Sequence, residues 1–155
     1  MEYYSIFMVK IDKNDQKLIE LLQEDSKRSI QELAQRAGLP PTTVHNRIKK
    51  LEQLGVIVRY TAVVNAAKLG KHVTAFVLVT TSSRTPAGVR VNQDDIAREI
   101  RALGAQEVHV VTGSADIIAQ VIAKDLDELN AFVTQKLRSL DGVDKTQTML
   151  VLSSY

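Results

Sequence analysis

Thr42, His45, Asn46, Lys49 and Gln53 recur at helical intervals in a stretch with no acid before Glu52. At ~100° per residue they project away from the apolar stripe Val44, Ile48, Leu51 and Leu54. Thr43 and Lys50 flank this row, and Arg47 lies at its border. Amide side chains bind adenine bidentately, and Arg or Lys binds guanine or phosphate. A solvated helix face more often carries glutamate–lysine pairs. A second constellation is Gly113, Ser114, Ala115 and Asp116, with Thr146 and Thr148 further on. Glycine lets the backbone approach a ligand, and consecutive turn amides can hold a carboxylate. Asp116 can pair with an ammonium group. Thr146 and Thr148 are two apart, so on a strand both hydroxyls face one side. The competing reading is that Asp116 only fixes the turn through its own backbone.

Other chemistry is thin. The chain has no cysteine, which excludes disulfides, thiolate metal sites and thiol catalysis, and fits a reducing cytoplasm. His45, His72 and His109 are scattered without metal-ligand spacing. His109, on an apolar run, is expected to be a packed or interface histidine. No serine stands in a nucleophile elbow. Asp125, Asp127 and Glu128 suit a helix N-terminus better than an acid–base pair. Neither catalysis, a metal nor a cofactor is expected.

Three helices must position the first constellation. The first runs from Asp12 to about Glu24, with Leu18, Ile19, Leu21 and Leu22 inward. Ser29 and Glu32 form a capping box for the second, whose stripe is Ile30, Leu33, Ala34 and Ala37. Gly38 ends it, and Pro41 suits the first turn of the third. Two short helices joined by a tight glycine turn make a helix-turn-helix. Val56 to Val64 reads as a strand leaving this module.

The second constellation sits in a β-α-β-β-α-β pattern. His72 to Thr80 reads as a strand apolar on both faces, and Ser82 to Val91 as a loop. Asn92 caps a helix with Ile96, Ala97, Ile100 and Leu103 inward. Glu107 to Thr112 and Ile117 to Ala123 form a hairpin. Asp125 begins a helix with Leu126, Leu129, Phe132, Val133, Leu137 and Leu140 inward, and Lys145 to Leu152 is the last strand. The fold class is therefore α+β: an N-terminal winged-type helix-turn-helix and a C-terminal ferredoxin-like sandwich. Residues 1–60 form the first domain with an N-terminal arm, 61–71 a linker strand or hinge, and 72–155 the second domain. One sheet face lacks helices, which implies a homodimer packed sheet to sheet.

The bulk properties agree. With 155 residues, 45% apolar and 25% charged, the chain fits one domain or two small ones and is not a disordered tail. The net charge is +2, but Ser26 to Tyr60 holds seven basic and two acidic residues, whereas Thr61 to Tyr155 holds ten of each. A basic block beside a neutral one suggests a part that meets a polyanion and a part that does something else. No apolar stretch approaches the ~20 residues of a membrane helix. The opening residues, through Asp12, lack the basic and apolar regions of a signal peptide and read as a short strand or arm.

One family shares these residues. Ile11, Asp12, Asp15, Leu18, Leu22, Gln23, Arg28, Glu32 to Ala34, Gly38, Leu39, Thr43 to His45, Arg47 to Glu52 and Gly55 to Ile57 resemble the DNA-binding half of the Lrp/AsnC transcriptional regulators. Val108, Val111, Thr112, Gly113 and Asp116, then Gly142, Val143, Thr146 and Thr148, are similar to that family's amino-acid-sensing domain. The resemblance implies a dimer able to form tetramers or octamers, with an amino-acid effector bound between dimers. The DNA-contacting set is then Arg28, Thr42, Thr43, His45, Asn46, Arg47, Lys49 and Lys50, with Arg28, Arg47 and Lys50 on phosphates. The effector set is Thr112, Gly113, Ser114, Ala115, Asp116, Thr146 and Thr148. Two departures stand out: Pro40 and Pro41 replace the usual serine cap, and the loop from Ser82 to Val91 is long for the family. The alternative is an architectural DNA-binding protein that needs no effector.

Overall fold

The computed structural model describes residues 10–154. The expected N-terminal arm, up to Val9, lies outside them. The chain forms two compact units that divide between Val63 and Val64.

The first unit holds α1 (Lys13–Glu24), α2 (Ile30–Ala37) and α3 (Pro41–Gln53). Asp12 caps α1 by accepting from the amides of Asn14 and Asp15, and Asp15 returns the bond to the Asp12 amide. Ser29 and Glu32 cap α2 in the same reciprocal way. Each cap satisfies amides that no helical carbonyl can reach. Gly38 ends α2 at φ +72°, a left-handed conformation that costs glycine nothing sterically. The chain thereby turns tightly enough to lay α3 against α2. Leu18, Leu21, Leu33, Ala34, Val44 and Ile48 form the shared core.

The expected strand from Val56 to Val64 does not form within the chain: no ladder runs through it among the described residues. β-branched residues favour a strand only where a neighbour accepts its backbone bonds. None does here, and Val58 and Val63 are exposed.

The second unit opens with a 3-10 turn, Ala66–Leu69. It continues as β1 (Val73–Thr81), α4 (Gln93–Ala102), β2 (Glu107–Val110), β3 (Ile117–Ala123), α5 (Leu126–Ala131) and β4 (Val143–Leu150). The sheet is antiparallel in the order β2-β3-β1-β4, the ferredoxin-like arrangement. Ala75, Val77 and Val79 of β1 and Ile117, Ala119 and Val121 of β3 point to the core with Ile96, Ile100, Leu129, Phe132 and Leu137. The outer face alternates: Phe76, Leu78, Ile118, Ile122 and Met149 are mixed with threonines and glutamines. It is therefore less uniformly apolar than the sequence suggests.

Two expectations need correction. The helix from Asp125 is not continuous: α5 passes into a π-helical stretch, Phe132–Lys136, and a 3-10 turn, Leu137–Ser139. Leu126 is 58% exposed rather than inward, because it stands in the first turn beyond the edge of the core. His109 does not pack within the chain; it stands on the outer face of β2, near Glu107, the face expected to meet a second copy. The loop from Ser82 to Val91 folds as a small hairpin, bridged between Arg84 and Arg90.

Candidate functional site

α3 carries the first candidate surface. Its apolar stripe, Val44, Ile48 and Leu51, is buried. Thr42, His45, Asn46, Lys49, Lys50 and Gln53 are exposed, and Thr43 is half-buried. None of the side chains of Thr42, His45, Asn46, Lys49 and Lys50 bonds to another described residue. Pro40 precedes the helix and gives no side-chain cap, and Pro41 has no N–H. The first intrahelical bond is Val44 N–H to Pro40 O. The amides of Thr42 and Thr43 thus sit at the positive end of the helix with no capping side chain, a favourable place for an anion.

The two arginines of the expected set behave otherwise. Arg47 Nη1 donates to Asp12 Oδ2 at 2.6 Å and to Asp15 Oδ1 at 2.7 Å, pinning the start of α1 to α3. Asp15 is 5% exposed and is the one buried charged side chain among the described residues. The Asp15 carboxylate, then Asp12, raises the Arg47 pKa. The Asp15 amide, then the Arg47 guanidinium, holds the Asp12 carboxyl below its ordinary range. Arg28 donates to Leu21 O, closing the end of α1, and pairs with Glu24 at 2.8 Å. Both cations are therefore engaged within the first unit, Arg47 by two acids and Arg28 by the Leu21 carbonyl and Glu24. Glu24 stands four residues before Arg28 in the sequence, but nothing there marked the Arg47 pair, because a helix wheel does not show what a neighbouring helix presents.

Close to the exit from this unit, the Tyr60 hydroxyl donates to Glu52 Oε1 at 2.8 Å. Burial, then this carboxylate, pushes its phenol up to about 12.

The β2–β3 turn carries the second candidate surface. Gly113 takes φ +136°, which disfavours any residue with a Cβ. Asp116 Oδ2 accepts from Thr81 N–H at 2.7 Å and from Thr81 Oγ1 at 3.0 Å, while Oδ1 accepts from Gln93 Nε2 at 3.0 Å. The carboxylate ties the end of β1, the start of α4 and the hairpin together. It borders a cavity of about 770 Å³ also lined by Ser82, Arg90 and Asp94. Thr112, Gly113 and Ser114 are exposed at the turn, and Ala115 lies beneath it, 7% exposed.

Thr146 and Thr148 lie elsewhere. They pair with Val79 and Val77 on β4, beyond β1 from the hairpin. Thr146 Oγ1 accepts from Arg138 Nε at 2.8 Å. Thr148 lines a separate cleft of about 330 Å³ beside α5. Within one chain, therefore, the expected effector residues divide between two places. Thr81, Gln93 and Arg138 were missed. Gln93 and Arg138 stand near the ends of expected helices, and Thr81 lies one residue past the expected strand, so their spacing marked none of them.

A polar, basic helix-turn-helix followed by a ferredoxin-like unit with clefts defines a class: DNA-binding transcriptional regulators with a ligand-binding domain. Residues 11–58 match the family model for winged helix-turn-helix DNA-binding, and residues 74–155 match that for the Lrp/AsnC ligand binding domain. The chain belongs to the Lrp/AsnC family of transcriptional regulators, which are not enzymes. It is 35% identical over 147 residues to the HTH-type transcriptional regulator FL11 of Pyrococcus abyssi, covering 95% of this chain and 93% of that protein. Among solved structures it resembles the transcriptional regulator NMB0573/L-Met complex of Neisseria meningitidis, with TM-score 0.84, 28% identity and coverage of 93% of this chain and 91% of that one. It also resembles E. coli AsnC, with TM-score 0.79, 26% identity and 94% of each chain covered. Among the described residues no helix is long and apolar enough to cross a membrane.

Proposed function

We propose that this regulator binds specific DNA sequences through α3 and that a small effector, an amino acid, modulates its binding or assembly. The unpartnered polar face of α3 carries the reading. Thr42, His45, Asn46 and Lys49 are the base-reading set, and Lys50 with the free amides of Thr42 and Thr43 serves phosphates. Arg47 and Arg28 act mainly by holding the helices together. Residues 61–71 link the two functions, and the protein works in the cytoplasm.

The effector reading is supported by the ligand-binding family model, by the L-Met complex of a relative, and by the two clefts of the second unit. A homodimer through the outer sheet face would cover Phe76, Leu78, Ile118, Ile122 and Met149. Its two-fold axis would require a near-palindromic site, with half-sites about one helical turn (~34–36 Å) or a multiple apart. The satisfied state of Asp116 favours a second reading, an architectural DNA-binding protein without an effector. DNA binding across a salt series, with and without each common amino acid, separates them. The first reading expects an amino acid to shift affinity or footprint, and the second expects no shift.

A further inference from the structure

We infer that the hairpin of residues 82–91 is a second DNA-backbone contact, in which Arg84 and Arg90 close together on one phosphate. This rests on the DNA-binding reading above and adds a site in the unit that reading leaves to the effector. Residues 81–93 hold two cations and no acid, in a half of the chain whose charges balance. Arg84 and Arg90 are direct partners in an antiparallel bridge. The flanking bonds, Thr85 N–H to Val89 O at 2.8 Å and Val91 N–H to Ser83 O at 3.2 Å, make them a non-hydrogen-bonded pair. In such a pair the Cα atoms are about 4.5 Å apart and the side chains lie closest. Like charges set directly opposite destabilise a strand pair. No described acid pairs with either arginine. The repulsion is therefore unrelieved in the free protein, and one anion between the two guanidinium groups relieves it.

The site is built before anything binds. Arg84 Nη1 donates to Gly88 O at 2.8 Å, which folds that side chain back over the hairpin and leaves Nη2 and Nε open. Arg90 makes no bond to a described residue. At the base, Ser82 N–H donates to Gly142 O at 2.9 Å. Gly142 packs so tightly there that an added Cβ would stand 2.8 Å from Val91 Cγ2. A hairpin anchored in this way loses little freedom on binding. Arg84, Arg90 and residues 86–89 are exposed. A small ligand takes a concave site that covers most of its surface, whereas an exposed hairpin suits an extended polyanion. Arginine–phosphate bonds are charge-assisted and use the guanidinium fork. Asp94 and Asp116 line a cavity with Arg90. The Asp116 carboxylate is already taken by Thr81 and Gln93, and Asp94 stands in the first turn of α4, where the helix dipole favours its charge.

DNA binding by the full chain across a salt series tests this, on one specific site and on mismatched sites. The double variant Arg84→Gln/Arg90→Gln should bind every sequence more weakly and lower the salt slope by about one per chain bound, the share of one phosphate. Its deficit should then shrink about three- to fourfold per chain between ~50 and ~200 mM salt. Discrimination against mismatches should match wild type. Arg84→Lys/Arg90→Lys keeps both charges and should restore most of the slope. Lys136→Gln/Lys145→Gln removes the same charge from two exposed lysines of the same unit and should leave the slope unchanged. A glutamine variant of the hairpin with the wild-type slope would overturn the contact. So would a lysine control that lowers the slope equally, since the field of the whole unit would then be at work. Calorimetry with inorganic phosphate identifies a free anion: phosphate binding that the hairpin variant loses, with equal DNA slopes, would make this a small-anion site instead. A Lys50→Ala variant that lowers the slope while the hairpin variant does not would remove only the hairpin. If wild type shows no salt-dependent binding to DNA, both readings fall.

Discussion

The outer face of α3 and the turn at Asp116 are both polar, and the fold treats them in opposite ways. On α3 the side chains of Thr42, His45, Asn46 and Lys49 make no bond to a described residue. At the turn one carboxylate takes three donors from two other elements. An exposed, unpartnered group can meet an outside partner without losing an inside one. A satisfied group must surrender a bond first, which costs about 0.5–1.5 kcal/mol net and more where the abandoned donor is left dry. Residue type alone therefore does not mark a site; the state of its hydrogen bonds discriminates. Arg47 shows the same division within a single helix. It stands near the exposed face, yet its charge is directed inward to Asp15 and Asp12.

The contrast between committed and open groups can be broken at several points. The largest effect is expected in the second unit. Val77 is fully buried on the helix-facing side of β1, whereas its neighbour Phe76 is 37% exposed on the other side. Val77→Asp puts a charge into a dry core and should abolish folding of this unit, a loss above about 4 kcal/mol. Phe76→Asp should leave circular dichroism nearly unchanged but shift light scattering towards monomer. A Phe76→Asp variant that scatters light as wild type does would rule out the outer face as an interface between copies.

Next in size is the internal arginine. Arg47→Ala strands the buried Asp15 carboxylate. Because Arg47 is itself partly exposed, the loss should be about 2–3 kcal/mol, below or at the low end of the ~3–5 kcal/mol seen for a fully buried pair. Denaturant unfolding of the first unit would measure it. An unfolding midpoint equal to wild type would return Arg47 to the phosphate-binding set.

On the open face the effects should appear in DNA binding and not in stability. Asn46→Ala should cost about 1–3 kcal/mol at one base position in each half-site. Lys50→Ala should weaken all sequences alike and reduce the salt slope by about one for each phosphate no longer neutralised. Footprinting on mismatched sites distinguishes the two patterns. Unchanged discrimination by Asn46→Ala would remove it from the base-reading set.

The smallest effects concern pH. The Asp12 and Glu32 carboxyls are held below their ordinary range, for Glu32 first by the Ser29 amide. Their stabilisation should be present above about pH 4 and lost as pH falls through the lowered values. Tyr60 is opposite in sign. Its pKa rises to about 12, so its contribution should be complete below about pH 10 and vanish as pH climbs through the folded value. Ultraviolet difference titration against Tyr60→Phe would show one phenol ionising late. A Tyr60 that titrates with the remaining tyrosines would refute this.

Much of the fold was legible in the residues themselves. The caps at Asp12 and Ser29, the stop at Gly38 and the exposed row on α3 follow from local rules acting over three or four residues, and all appear where expected. So does the order of strands and helices in the second unit. Periodicity reports which side of an element is apolar, because burying that side is the dominant favourable term in folding. The misreadings share a different cause. Val56 to Val64 has strand-like residues but no strand beside it. Leu126 fits the apolar rhythm but lies past the edge of what the sheet covers. Thr146 and Thr148 share a side of β4, as their spacing requires, yet β1 stands between them and the hairpin of Asp116.

The amino-acid sequence by itself determined most of the elements, the caps at Asp12 and Ser29 and the polar row on α3, since each depends on neighbours a few positions away. Only the tertiary structure decided which polar groups are already spent. Arg47 on Asp15, Asp116 on Thr81 and Gln93, and Arg138 on Thr146 span separations of 32, 35, 23 and 8 residues. Electrostatic and hydrogen-bond partners are chosen by distance in space, and helix packing and strand order set that distance.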